Sequence, residues 1–427
     1  MTHPIWEPAP GAPHAVAAAA GHADAPSDAE LFATADRVLV GTYARPDIVL
    51  SHGDGVWLWD TAGRKYLDFG SGIAVMALGH SDPEWAAAVA DQAARLTHVS
   101  NLYHTRWQIE LATRLVAHSF ADRVFFNNSG AEATETAIKF ARRYARRAAG
   151  AGDDDPSFAK TGLVAFGHGF HGRTIGAVSI TAKPAYRLPF GPLLPGVAFA
   201  PYNDLAAAEA LVGPDTCAVV VEPIQGEGGI RAADPAFLHG LRALCDRHGA
   251  LLVFDEVQCG LGRTGTLWAH EAFGVTPDIM TVAKPLAGGL PIGATLVAER
   301  VAGAIGVGEH GSTFAAGPLV ARAACVVFDR IRQPAFLAHV RDTGKHLRDR
   351  IAALASPRVV DVRGSGLFVG VELDRPVKPV IDAARLQGVL FIAAGTHVIR
   401  LCPPLIVGRA DVDLAVDTLG ACIAAAA

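Results

Sequence analysis

From about residue 76 the chain alternates between two textures. Stretches such as "PEWAAAVADQAARL" (83–96) and "AEATETAIKFARRYARR" (131–147) carry apolar residues at helical spacing. Interleaved with such stretches are short apolar runs bounded by Gly, Pro or a polar pair: "GLVAF" (162–166), "CAVVVEP" (217–223), "ALLVFDE" (250–256) and "IMTVAK" (279–284). Apolar runs without alternation predict strands buried on both faces. Strands and helices in alternation predict an α/β domain with a mainly parallel sheet. Upstream, "GVWLWDTAGRKYLDF" predicts a hairpin turning at Ala62-Gly63. Beyond residue 320 the helices lengthen (Val320–Arg332, Phe336–Leu354), followed by "RGSGLFVGVEL" and "HVIRLCPPLIV", which predicts a smaller α+β domain. The start is rich in Ala, Pro and His without apolar period. The expected organisation is a flexible tail (1–35), a segment packing with the small domain (36–75), a large domain (76–320) and a C-terminal small domain (321–427).

Composition narrows the classes. Of 427 residues, 51% are hydrophobic and 19% charged, too apolar for a disordered chain. With 37 basic and 42 acidic side chains the formal charge is −5, which gives no electrostatic footprint for nucleic acid. The six cysteines form no C-x-x-C pair, so the expectation is free thiols in a reducing cytoplasm and no structural metal. No signal peptide is apparent at the start. The longest apolar run, around Lys284, contains prolines and Gly-Gly, which argues against a membrane span.

Several predicted strands end in polar residues: Val221 runs into Glu222, Phe254 into Asp255-Glu256, and Val282-Ala283 into Lys284. Ligands of open α/β sheets sit at carboxyl strand ends, so these endings point to one site. Lys284 is the only charged residue between Asp278 and Glu299. An ordinary lysine is solvated; one alone in "IMTVAKPLAGGLPIGATLV" is expected to be buried, with a lowered pKa and a nucleophilic neutral amine. Asp255 reads either as a cap or salt-bridged carboxylate, or as the partner of a cofactor's ring nitrogen. Ser129 and Glu132 have capping-box spacing ahead of a helix, and Ser129-Gly130-Ala131 offers backbone N–H groups to a phosphate. In "GHGFHGRT" (167–174), His168 and His171 are poor metal ligands in a turn without carboxylates; Phe170 suits stacking and Arg173 a carboxylate. "GLGRTG" (260–265) matches a dinucleotide fingerprint, but Asp255–Cys259 separate it from the strand and no long helix follows. Arg400, between apolar residues and Pro403-Pro404, is either an exposed strand residue or a carboxylate grip.

Together, "NNSGAEATETAIKFAR", "GFHGRTIGAVS", "FGPLLPG", "PYND", "EPIQGEGG", "VFDEVQCGLGRTG", "PDIMTVAK" and "GEHGSTF" stand in an order that resembles the class III aminotransferases of pyridoxal-phosphate (PLP) fold type I, over about residues 40 to 410. "TYARPDIVLSHGDGVWLWD", "GIAVMALGHSDP", "THVSNLYHTRWQIELA" and "VIRLCPPL" resemble the subgroup acting on acetylornithine, with Gly72 where ornithine enzymes typically carry tyrosine. Two departures are Pro285 after the lysine, where glycine is usual, and Ala315-Ala316-Gly317-Pro318 in place of Gly-Gly-Asn-Pro.

The resemblance implies PLP held by Lys284 through a Schiff base, with Asp255 at the ring nitrogen, Val257 and Phe170 on its faces and Gln258 at the ring hydroxyl. It implies phosphate contacts from Ser129, Gly130 and Ala131, and from Thr313 across a homodimer interface. Arg173 would bind the carboxylate of the acylated donor. Arg400 would bind the α-carboxylate of glutamate, with Glu227 masking it otherwise, and Tyr43 and Asn101 would line the entrance. The implied reaction moves the δ-amino group of N2-acetylornithine to 2-oxoglutarate. The same scaffold serves ornithine, succinylornithine, GABA or β-alanine transfer and an aminomutase, so fold alone does not fix the reaction. An NAD-dependent oxidoreductase rests only on the glycine run at Gly260.

Overall fold

The computed structural model describes residues 26–426. Of the tail expected over 1–35, residues 1–25 lie outside the described residues. The remainder is not extended: Asp28–Val38 is a helix with a reciprocal capping box between Ser27 and Glu30. Its residues pack weakly, none being buried.

The centre is a seven-stranded sheet in the spatial order Arg123–Asn127, Gly293–Val297, Ile279–Val282, Leu251–Asp255, Thr216–Val221, Gly162–Phe166, Val197–Ala200. Gly293–Val297 runs antiparallel to both neighbours, and the other pairs are parallel. Thr216–Val221 and Leu251–Asp255 are buried at every position, as their unbroken apolar runs require. Two apolar layers flank the sheet. One gathers Val164, Val219, Leu252 and Phe254 against helix Pro235–His248; the other gathers Leu163, Ala218 and Val253 against helix Gly130–Ala148.

A second sheet, in the order Val359–Ser365, Phe368–Leu373, Val398–Leu401, Ile392–Ala393, belongs to the C-terminal part. It packs with helices Pro334–Ala353 and Arg409–Ala425. The N-terminal hairpin Trp57–Asp60/Lys65–Asp68 extends toward this part, since Lys65–Asp68 pairs in parallel with Val389–Leu390. All six cysteines are free and buried. Among the described residues no helix is long and apolar enough to cross a membrane.

Candidate active site

Strand register gathers the polar strand ends on one edge. Asp255 pairs with Thr281 on the adjacent strand, so Lys284, three residues on, emerges beside it. The next strand but one ends at Asn127, and Ser129 there caps helix Gly130–Ala148. On the other side Phe166 leads into the loop carrying Phe170, His171 and Arg173, and Val221 leads into Glu222. A cavity of about 300 Å³ opens here, walled by Gly130, Ala131, Phe170 to Arg173, Glu222, Glu227, Asp255, Val257, Gln258 and Lys284.

The helix start forms an anion cradle. Ser129 Oγ accepts from the Glu132 N–H at 3.2 Å, and Glu132 reaches back one residue further than the capping-box spacing predicts, accepting from the Asn128 N–H at 2.7 Å. The Gly130 and Ala131 N–H groups remain directed to the cavity at the positive end of a 19-residue helix. Gly130 has no room for a side chain: a Cβ there would stand 2.7 Å from Val257 Cγ1 and 3.5 Å from Ala283 Cβ.

Asp255 is buried and fixed from two sides. The Val257 N–H donates to Oδ1 at 3.0 Å, and His171 Nδ1 lies 2.7 Å from Oδ2. Burial works against a charged His171, but the hydrogen bond and charge of Asp255 outweigh it and hold its pKa above the usual histidine value. Glu222 is also buried, accepting from the N–H groups of Phe170 and Gly226, each at 2.9 Å; burial pushes its pKa up to about 7. Lys284 is half-buried, and desolvation presses its amine below the ordinary lysine value, against the opposing pull of Glu227 and Asp255.

The two arginines differ in state. Arg400, 3% exposed, donates through Nη1 to Glu227 and, at 2.8 Å, to Gln258 Oε1, while its Nε has no partner among the described residues. Arg173 is exposed to the cavity and makes no ion pair among the described residues; its guanidinium lies against Tyr186 and Phe170.

The remaining expected residues stand elsewhere in the single chain. Tyr43 is 73% exposed and stacks with Arg45. Asn101 donates to the Ser312 carbonyl at 3.0 Å and, with Asn128, ties down the loop bearing the exposed Thr313. None of the three lines the Lys284 cavity. The sequence reading passed over His171 as a partner of Asp255, because nothing in their spacing says that the 167–173 turn folds onto that strand end.

The family model described as Aminotransferase class-III matches residues 41–423. The chain belongs to the class-III aminotransferases. It is 52% identical to the mitochondrial acetylornithine aminotransferase of Alnus glutinosa, over 93% of this chain and 88% of that one. Its fold matches the ornithine aminotransferase of Toxoplasma gondii with a TM-score of 0.89 at 30% identity, covering 94% and 96% of the two chains. It matches N-acetylornithine aminotransferase from Stenotrophomonas maltophilia with a TM-score of 0.77 at 37% identity, covering 90% and 97%. As a class-III aminotransferase the chain is a pyridoxal-phosphate-dependent transaminase of fold type I. The cavity suits that cofactor: a desolvated lysine amine, a fixed carboxylate, free N–H groups at a helix start, and Val257 and Phe170 as apolar walls.

Proposed function

We propose that this transaminase moves the δ-amino group of N2-acetylornithine to 2-oxoglutarate. The observation carrying this reading is the pair of arginines: Arg173 reaches the Lys284 cavity without an acidic partner, while Arg400, behind it, is engaged by Glu227. A long donor has its carboxylate far from the reacting amine, and Arg173 suits it. Glutamate has its α-carboxylate close by, and Arg400 suits it once Glu227 swings away. The acetylornithine names of the relatives support the same donor. Gly72, at the position where ornithine enzymes typically carry a tyrosine, has a φ of +61°, which a residue with a side chain rarely adopts.

Pyridoxal phosphate, when bound, supplies an electron sink for the bond broken at the amine-bearing carbon. Gly130 and Ala131 N–H groups, with Ser129, would hold the phosphate. Asp255, clamped by His171 and the Val257 N–H, would keep a proton on the ring nitrogen. Val257 and Phe170 would confine the ring, and Gln258 would contact its hydroxyl. Lys284 Nζ would hold the cofactor and act as the base at the substrate carbon, a task its lowered pKa favours. Thr313, Tyr43 and Asn101 reach the site of a second copy in a homodimer. The division into a large domain (76–320) and a small one (321–427), preceded by a segment over 36–75, fits a site set between the two. Free cysteines support a reducing compartment, taken here as the cytoplasm.

Single-turnover half-reactions test the reading. Arg173→Ala should cripple the acetylornithine half-reaction more than the glutamate one, and Arg400→Ala should do the reverse. Each lost bidentate contact is worth about 2–4 kcal/mol, on the order of 30- to 1,000-fold. Equal losses in both half-reactions would reject two separate anchors.

A further inference from the structure

Arg173 poses a physical problem. It is exposed, long and flexible, and among the described residues it has no carboxylate or carbonyl to orient it. A side chain of this kind loses rotamer entropy whenever it grips a ligand. The neighbouring segment supplies what is missing. Pro184 starts the short helix Pro184–Arg187, whose Tyr186 lines a second cavity that shares Phe170 and Glu227 with the Lys284 cavity. The guanidinium carbon of Arg173 lies 3.5 Å from the centre of the Tyr186 ring, close enough for face-on stacking, and 5.7 Å from that of Phe170. Tyr186 is itself held: its ring stands at 87° to Phe170, and Lys183 Nζ lies 3.4 Å from its hydroxyl.

Stacking uses the face of a guanidinium and leaves its N–H edge free. The edge is what a carboxylate needs for a two-point grip. A salt bridge from the protein would have fixed the arginine equally well but would have occupied that edge, as Glu227 does at Arg400. Lys183, 4.5 Å from the Tyr186 ring centre, adds a second positive charge without offering a competing acceptor.

We propose that Tyr186 is a positioning and specificity-determining residue, which holds Arg173 in place by stacking so that its free edge receives the carboxylate of the acylated donor. The inference rests on the reading of Arg173 as the donor's carboxylate anchor, and the test separates the two. The probe is N2-acetylnorvaline, which has the donor's carboxylate and acyl group but no transferable amine. Its dissociation constant is measured on the holoenzyme by calorimetry, alongside both half-reactions.

Tyr186→Ala should weaken the probe about 3- to 30-fold and slow the acetylornithine half-reaction more than the glutamate one, and Tyr186→Phe, which keeps the ring face, should bind it as wild type does. In an Arg173→Ala background, Tyr186→Ala should have no further effect. If Arg173→Ala weakens the probe while Tyr186→Ala does not, the stacking role is overturned and the anchor stands. If Tyr186→Ala weakens the probe equally with and without Arg173, Tyr186 acts on the ligand or fold directly and the proposal is likewise overturned. If Arg173→Ala leaves the probe's affinity unchanged, the anchor itself fails, and the proposal with it.

Discussion

Glu222 accepts from the Phe170 N–H and His171 contacts Asp255, and both hold protons more tightly than they would in an unfolded chain. Burial pushes the Glu222 pKa up to about 7 from an ordinary 4.5. Between those values the folded state binds more protons than the unfolded one, so stability falls as pH rises through the window. His171, raised by Asp255, acts in the same direction: its contribution is complete below 6.5 and disappears as pH climbs through its folded value. Urea unfolding from pH 4.5 to 8 should show this decline in wild type. Glu222→Gln should flatten it below about pH 6.5 and leave the His171 part above. An identical slope in both proteins would exclude Glu222 as its source.

At the scale of elements, the start of helix Gly130–Ala148 meets the two strand ends that carry the chemistry. A methyl group on residue 130 would press on Val257, two residues after Asp255, and on Ala283, next to Lys284. Overpacking of this sort costs about 1–3 kcal/mol. Gly130→Ala should therefore weaken PLP binding to the apoenzyme about 5- to 150-fold in an absorbance titration. Wild-type affinity would show that the wall yields. The strands, the lysine and the aspartate were legible in the sequence for a common reason: each lies where an unbroken apolar run meets its first polar residue. The helix Asp28–Val38 was not read, although Ser27 and Glu30 stand at capping-box spacing; the alanine-rich, weakly periodic context hid the signal. The Asp255–His171 contact and the Tyr186 stack were out of reach, because each joins segments whose meeting is decided by loop folding rather than by local spacing. Arg400 could be read as a carboxylate grip or as an exposed strand residue; burial between Glu227 and Gln258 removes the second reading.

At the scale of the molecule, large apolar side chains stand exposed near the loop bearing Thr313. Leu102, Tyr103 and Phe314 are 80%, 71% and 66% exposed, and the Asn101–Ser312 hydrogen bond ties their two loops together. An exposed apolar patch of this kind suits a docking face, and the homodimer proposed above would place a second copy on it. Phe314→Glu should shift the sedimenting species from twice 44.5 kDa toward one chain and remove transaminase activity with it. An unchanged mass would place the interface elsewhere. The Arg400–Glu227 pair spans the molecule in another sense, since Arg400 belongs to the C-terminal sheet and Glu227 follows the short strand Ile224–Gln225, outside that sheet. The protein thus contains its own competitive inhibitor, tethered and always present. Any carboxylate that takes the Nη1 position at Arg400 must first displace it, so the measured affinity is the intrinsic affinity divided among open and self-occupied forms. On the proposed role of Arg400, glutamate would be held loosely through this competition rather than by weakness of the contact, and a product held loosely is one that leaves.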